Sequence, residues 1–304
     1  MGFVGESSLE ASANRFRGFA DLYDGVRPVP PTELGDLIVA YRGHRPQLVV
    51  DLGSGTGLSS RWASGWAAEV VGIEPSDDMR AAANAPADNV RLSPGWSHDT
   101  GLPTGCADVV LAVQALHWME PAPTFAEVER LLCPGGVFAA VDCDWPPVVG
   151  DAVIEEAWDS CRRRIRVFET RLASGMASDE LRAPVNKDDN EGWNGDRVVS
   201  PHRRGLPEGV RRWSKAEHLE RMKASDSFQW CREIAMAHTE PGDANRFVGL
   251  LRSQGDYQAL QRHGLSDAVL GVDDFAETVE RRLGDQRRQL TFIYRARLGF
   301  KSLQ

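Results

Sequence analysis

Residues 49–58 read V-V-D-L-G-S-G-T-G-L. An apolar run that ends in an acid, with glycines at every second position behind it, describes a buried strand turning sharply into a helix. A second apolar run over residues 69–73 closes on another acid, Glu74, which stands 23 residues after Asp51 (74 − 51). In an open α/β sheet ligands bind outside the carboxyl ends of the strands. Asp51 and Glu74 therefore mark one crevice. Gly53, Gly55 and Gly57 allow the tight turn between them and a close approach of main chain to ligand.

The alternation continues along the chain. Strand-like segments fall at 48–51, 70–74, 89–92, 107–113 and 137–141, with helical segments after Gly57, over 76–83 behind a Ser76 cap, and over 125–132. Residues 107–113 are nearly all apolar, as suits a strand buried on both faces. Beyond Trp145 the pattern changes. Residues 151–174 place Ile154, Trp158, Cys161, Ile165, Phe168 and Leu172 on one helical face. Residues 184–212 are polar and aperiodic, a long loop. Ser214 and Glu217 have the spacing of a capping box. A strand over 228–236, helices over 243–262 and 272–284, and a last strand over 289–298 follow.

The size of 304 residues suits one large domain or a domain with a lid. The net charge of −9 argues against a nucleic-acid partner, which needs a basic footprint. No apolar run approaches the roughly 20 residues of a membrane span, and residues 1–7 lack the start of a secretory signal, so the expected location is the cytoplasm with no membrane partner. The five cysteines form no C-x-x-C pair, and the histidines are scattered, so no metal is expected. A nicotinamide dehydrogenase shares much of this pattern, but its fingerprint needs a third glycine where this chain has Leu58.

Two later segments, G-W-S-H at 95–98 and V-Q-A-L-H-W at 113–118, join Y-D-G-V-R-P at 23–28 to complete a set. Together with the glycine turn and its two acids they resemble class I S-adenosylmethionine-dependent methyltransferases of the type 11 group, similar to trans-aconitate methyltransferase. The second segment matches the A-x-Q-A-L-H-W of that group. The first departs from G-x-A-E at Ser97 and His98. The resemblance implies an α/β, Rossmann-like seven-stranded sheet, mostly parallel with an antiparallel last strand, plus a helical lid insertion. It implies an N-terminal cap over 1–33, a cofactor-binding core over 34–148, a substrate lid over 149–224 and the remainder of the core over 225–304.

It also implies S-adenosylmethionine as cofactor, S-adenosylhomocysteine as product and a small-molecule acceptor. The cofactor would meet Asp51, Gly53, Ser54 and Gly55 at the turn, Glu74 at the ribose, Pro75 and Met79 beside the adenine, and Trp96 and Ser97 on its border. The Gln114 backbone would meet the methionine amino group, Arg27 the carboxylate, and Tyr23 would close over the methyl donor. His117 is the candidate general base, or else an orienting residue. Asp142 and Asp144 steer the acceptor or cap their strand. Trp145, Trp158, Phe168 and Trp193 line an apolar pocket or, at helical spacing, form core; Arg162, Arg163, Arg164 and Arg166, on one helix, receive an anionic substrate or form a solvated face. Three activities remain open: methyl transfer to a small molecule, methyl transfer to a peptide or protein terminus, and cofactor binding without turnover.

Overall fold

A computed structural model describes residues 20–83, 87–176 and 212–303. Its chain divides into two compact units. One, the sheet unit, holds residues 29–144, 212–238 and 293–304; the other, the helical unit, takes the described residues of 1–28, 145–211 and 239–292.

The sheet is built as the apolar runs require. Strands β1 (Leu48–Leu52), β2 (Glu69–Ile73), β3 (Val90–Ser93), β4 (Ala107–Val113) and β5 (Leu132–Cys143) pair in parallel, with Asp51 opposite Gly72 on one side and Leu111 on the other. β7 (Arg288–Phe300) runs antiparallel to β5, setting Val141 against Ala296. With β6 (Trp230–Gly242) the strand order is β3-β2-β1-β4-β5-β7-β6. The chain travels outward from β1 through β3 and returns at β4. The ends of β1 and β4 are thus the switch point where such sheets open a crevice.

Helices α2 (Thr32–Arg42), α3 (Leu58–Ser64), α4 (Asp77–Ala81) and α5 (Pro121–Leu131) accompany the strands, α1 (Ala20–Val26) lying before them in the helical unit. Ser76 caps α4, accepting the Met79 N–H at 3.4 Å. The core of the sheet unit gathers Val50, Leu52, Val71, Val110, Phe125, Phe138 and Phe228, the last two rings stacked at 5.6 Å. α7 (His218–Lys223) completes this unit, behind a 3-10 turn at Lys215–Glu217. The capping box expected there is not formed: the Ser214 side chain accepts no bond from the turn. A second 3-10 turn, Leu116–Trp118, follows β4.

In the helical unit, α6 (Ala152–Ala173) buries the face read from the sequence from Ile154 to Phe168, with Leu172 only half-buried, and sets Trp158 against Phe247 at 5.4 Å and Phe275 at 5.8 Å. The single helix expected over 243–262 is two, α8 (Ala244–Arg252) and α9 (Gly255–Arg262), and α10 (Asp267–Leu270) and α11 (Val272–Leu283) follow. Trp158 and Phe168 are core at 1% exposure each. Arg162 is not on a solvated face: it holds Asp256 through two bonds of 2.7 Å. The boundaries expected at 33, 148 and 224 cut the chain differently from these units, because residues 239–292 fold with α6. Trp193 and most of the polar loop lie outside the described residues.

Candidate active site

The turn after β1 is shaped by backbone geometry first. Gly53, Gly55 and Gly57 take φ of +66°, +57° and +77°, a region that L-residues enter at a cost. The Gly53 and Ser54 N–H groups donate to the Ile73 carbonyl at 2.8 and 3.1 Å, which ties the turn to the end of β2. A Cβ on Gly53 would stand 2.8 Å from Ala115 Cβ and 2.9 Å from Met119 Cε. That glycine is thus demanded by the 3-10 turn after β4, a packing reason the sequence alone did not supply.

Glu74 stands at the end of β2 with both carboxylate oxygens occupied by main chain. Oε2 accepts the Gly55 N–H at 3.0 Å and Oε1 the Ser76 N–H at 2.9 Å. Burial raises its pKa, and those two N–H bonds pull partly in the other direction. Met79 packs below, its Cε 3.3 Å from where a Gly55 Cβ would sit, and Pro75 is half-buried beside it. Asp51 is fully buried. Its Oδ2 accepts the hydroxyls of both Ser59 and Ser60 at 2.7 Å, while Oδ1 has no partner among the described residues. Burial pushes this carboxyl up to about 6, against the pull of the two serines.

Beyond β3, Trp96 and Asp99 exchange backbone bonds at 3.0 and 3.1 Å and close a turn. Ser97 is pinned to Thr124 at 2.9 Å, hydroxyl to hydroxyl, and the Trp96 and His98 rings stack at 6.4 Å. Glu127 holds the same turn by accepting the Thr100 N–H at 3.0 Å.

At the end of β4, Gln114 donates its backbone N–H to the Val141 carbonyl at 2.7 Å. Any backbone contact to a ligand amine therefore falls to its carbonyl. His117 follows, buried, with Nδ1 3.7 Å from Asp142 Oδ1 and its carbonyl accepting the Trp213 N–H at 2.8 Å. Asp142 is the hub of this end. Arg297 reaches its Oδ2 at 2.7 Å, Lys215 its Oδ1 at 3.0 Å, and His218 stands 3.9 Å away. Burial alone would raise the Asp142 pKa, but Lys215, His218 and Arg297 outweigh it and hold the carboxyl below its ordinary value. Burial pushes His218 down to about 4 despite Asp142 beside it. Asp144 is instead paired with Arg295 at 2.9 Å.

The structure thus gathers Asp51, Gly53, Ser54, Gly55, Glu74, Pro75, Met79, Trp96, Ser97, Gln114 and His117 in the sheet unit. Tyr23 and Arg27 belong to the helical unit, where the Arg27 guanidinium lies 4.7 Å from the Tyr23 ring, 4.9 Å from that of Trp145, and donates to the Ser253 carbonyl at 2.7 Å. Sequence reasoning missed Ser59 and Ser60, whose signal was a serine pair in the first turn of the helix behind the glycines. It also missed Lys215, His218 and Arg297, which reach Asp142 from positions 73, 76 and 155 residues further on (215 − 142, 218 − 142 and 297 − 142).

Residues 50–140 match the family model Methyltransf_11, described as a methyltransferase domain. They form a methyltransferase domain of the type 11 group. An uncharacterized methyltransferase of Mycobacterium tuberculosis is 32% identical over 114 residues, 38% of this chain and 46% of the relative. A Saccharomyces cerevisiae protein named "Probable S-adenosylmethionine-dependent methyltransferase" is 30% identical over 125 residues, covering 38% and 43%. The chain spans about half the length of these curated relatives. The solved structure of a protein from Anaeromyxobacter dehalogenans, assigned as a type II methyltransferase, aligns over 91% of this chain and 98% of its own at 20% identity, with a TM-score of 0.56, and shares the fold.

Proposed function

We propose that this chain transfers the methyl group of S-adenosylmethionine to an oxygen of a small-molecule acceptor in the cytoplasm, releasing S-adenosylhomocysteine. The observation that carries the reading is Glu74, a buried acid at the end of β2 held by the N–H groups of Gly55 and Ser76. An acid so placed offers its remaining lone pairs to a ribose diol. The residues present fit the cofactor on a second count. Asp51 Oδ1 and Ser54 Oγ are buried polar atoms without partners among the described residues, and both stand at the end of β1. Unpartnered groups of this kind cost 1–3 kcal/mol each unless a ligand satisfies them. Asp51 Oδ1 suits the ligand's amino group, and the turn at Trp96 and Ser97 borders the adenine.

The sulfonium cofactor supplies a methyl group already activated for displacement. The protein's part is to orient the two reactants and exclude water, a contribution of up to roughly 7–11 kcal/mol in well-aligned systems. An acceptor carboxylate would need no base, with His117 orienting the crevice; an acceptor hydroxyl would lose its proton to His117. The five free thiols suit a reducing compartment.

Calorimetric titration with S-adenosylhomocysteine tests the reading. Saturable binding at one site is expected, and Glu74→Gln, which trades a charged acceptor for a neutral one, should weaken it about tenfold to a hundredfold. A folded wild-type protein that binds nothing would overturn it.

A further inference from the structure

Gln114 holds a backbone conformation that needs explaining. It is a non-glycine residue at φ +53°, strain of order 1–3 kcal/mol that persists only where surroundings enforce it. The Val141 carbonyl fixes its N–H at 2.7 Å, and its side-chain Oε1 accepts from Lys215 Nζ at 2.7 Å. An ammonium has donors only, so the oxygen of the carboxamide must face it. The opposite end, Nε2, is then a donor pair buried without a partner among the described residues.

Lys215 is under-used as well. Its ammonium has three N–H donors, gives one to Gln114 Oε1 at 2.7 Å and pairs with Asp142 Oδ1 at 3.0 Å, which leaves at least one donor over among the described residues. Asp142 is shared between two cations, since Arg297 holds its other oxygen at 2.7 Å while also pairing with Glu233 at 2.7 Å. The Lys215 side chain is 25% exposed, against 3% for Arg297, so it is the cation of this cluster that a ligand can reach. The oxygen and nitrogen of an amide lie about 2.2 Å apart, so Gln114 Nε2 and Lys215 Nζ stand within about 5 Å of each other. That span suits two oxygens on one carbon, each taking one donor. One donor is neutral and fixed by a strained backbone; the other is charged.

We infer that Gln114 Nε2 and Lys215 Nζ form a carboxylate-binding site at the end of β4, and that it receives the carboxylate of the methyl acceptor. The inference rests on the methyl-transfer reading and narrows its acceptor to a carboxylic acid, bound through the group to be methylated or through a second one. The carboxylate of the cofactor's own amino-acid tail has the same chemistry, and the test separates the two.

Thermal unfolding of the full chain is followed with and without S-adenosylhomocysteine, against succinate, glutarate, citrate and benzoate, each paired with its neutral amide. At least one acid should raise the melting temperature where its amide does not. Lys215→Met should abolish that shift and Lys215→Arg should keep most of it, while affinity for S-adenosylhomocysteine changes less than about threefold. Gln114→Asn, whose shorter side chain tolerates positive φ but withdraws Nε2, should weaken the acid at least fivefold and serves if Lys215→Met does not fold. The inference is overturned if no acid acts on the wild type, or if the shift survives both variants. It is overturned equally if Lys215→Met loses tenfold or more for S-adenosylhomocysteine but nothing for 5′-methylthioadenosine, which lacks the carboxylate: the donors would then read the cofactor tail. A wild type that binds no S-adenosylhomocysteine would sink the methyl-transfer reading instead, and an acid-dependent shift lost in Lys215→Met would still stand beside that result.

Discussion

Asp51 shows how one residue ties stability to function. Its carboxyl is fully buried, takes two serine hydroxyls on one oxygen and leaves the other unpartnered among the described residues, with the Glu74 charge nearby. The folded-state pKa of about 6 lies above the ordinary 3.8. The folded state therefore holds this proton more tightly than the unfolded one. The associated stability is fully present below about pH 4 and is lost as the pH rises through 6, a swing of about 3 kcal/mol. An ionised, half-satisfied acid is poised for a cationic group on a ligand. Asp51→Asn removes the titration, so its stability relative to wild type should climb between pH 4 and pH 8 by up to that amount in urea unfolding. The same variant should bind S-adenosylhomocysteine at least tenfold more weakly at pH 8, and wild-type affinity should fall as the pH drops through 6. A stability difference flat with pH would show that Asp51 is not the group titrating.

At the level of elements, the glycine turn after β1 separates two demands that look alike in the sequence. Gly53 and Gly57 both have positive φ, but only Gly53 has its missing Cβ filled, by Ala115 and Met119; a Cβ on Gly57 would rest 3.5 Å from Leu92. Gly57→Ala should cost about 1–2 kcal/mol, the backbone term alone. Gly53→Ala adds an overpacking cost of about 1–3 kcal/mol and displaces the turn that carries His117, so it should lose more stability and more affinity for S-adenosylhomocysteine. Equal losses in denaturant unfolding would refute this division. The two positions are indistinguishable in G-S-G-T-G because the contact that separates them comes from residues 115–119.

Across the whole molecule, what was legible followed the range of the interaction that determines it. The limits of β1, β2 and β4 were readable to within a residue or so, because parallel strands buried on both faces are continuous apolar runs. The acids Asp51 and Glu74 were readable because each closes such a run. The break between α8 and α9 was not, since the apolar face continues across Ser253 and Gln254. Nor was the cluster on Asp142, whose partners come from the last strand and from beyond the polar loop. β7 makes the point as a prediction. It contributes none of the residues assigned to cofactor binding, yet Leu290, Phe292, Tyr294, Ala296 and Leu298 are buried at 1% exposure or less, and Arg297 sits between Asp142 and Glu233 at 2.7 Å from each. A chain ending at Gln286 would strip one edge of β5 of its partner and leave Asp142 without its most buried cation, a break that costs about 3–5 kcal/mol by itself. It should fail to fold by circular dichroism and bind no S-adenosylhomocysteine. A chain ending at Lys301 loses the bond from the Gly135 N–H to the Ser302 carbonyl and an exposed Leu303, and should fold and bind nearly as the full chain does. Binding retained by the chain ending at Gln286 would show that the cradle of β1, β2 and β4 stands without the strand beside β5.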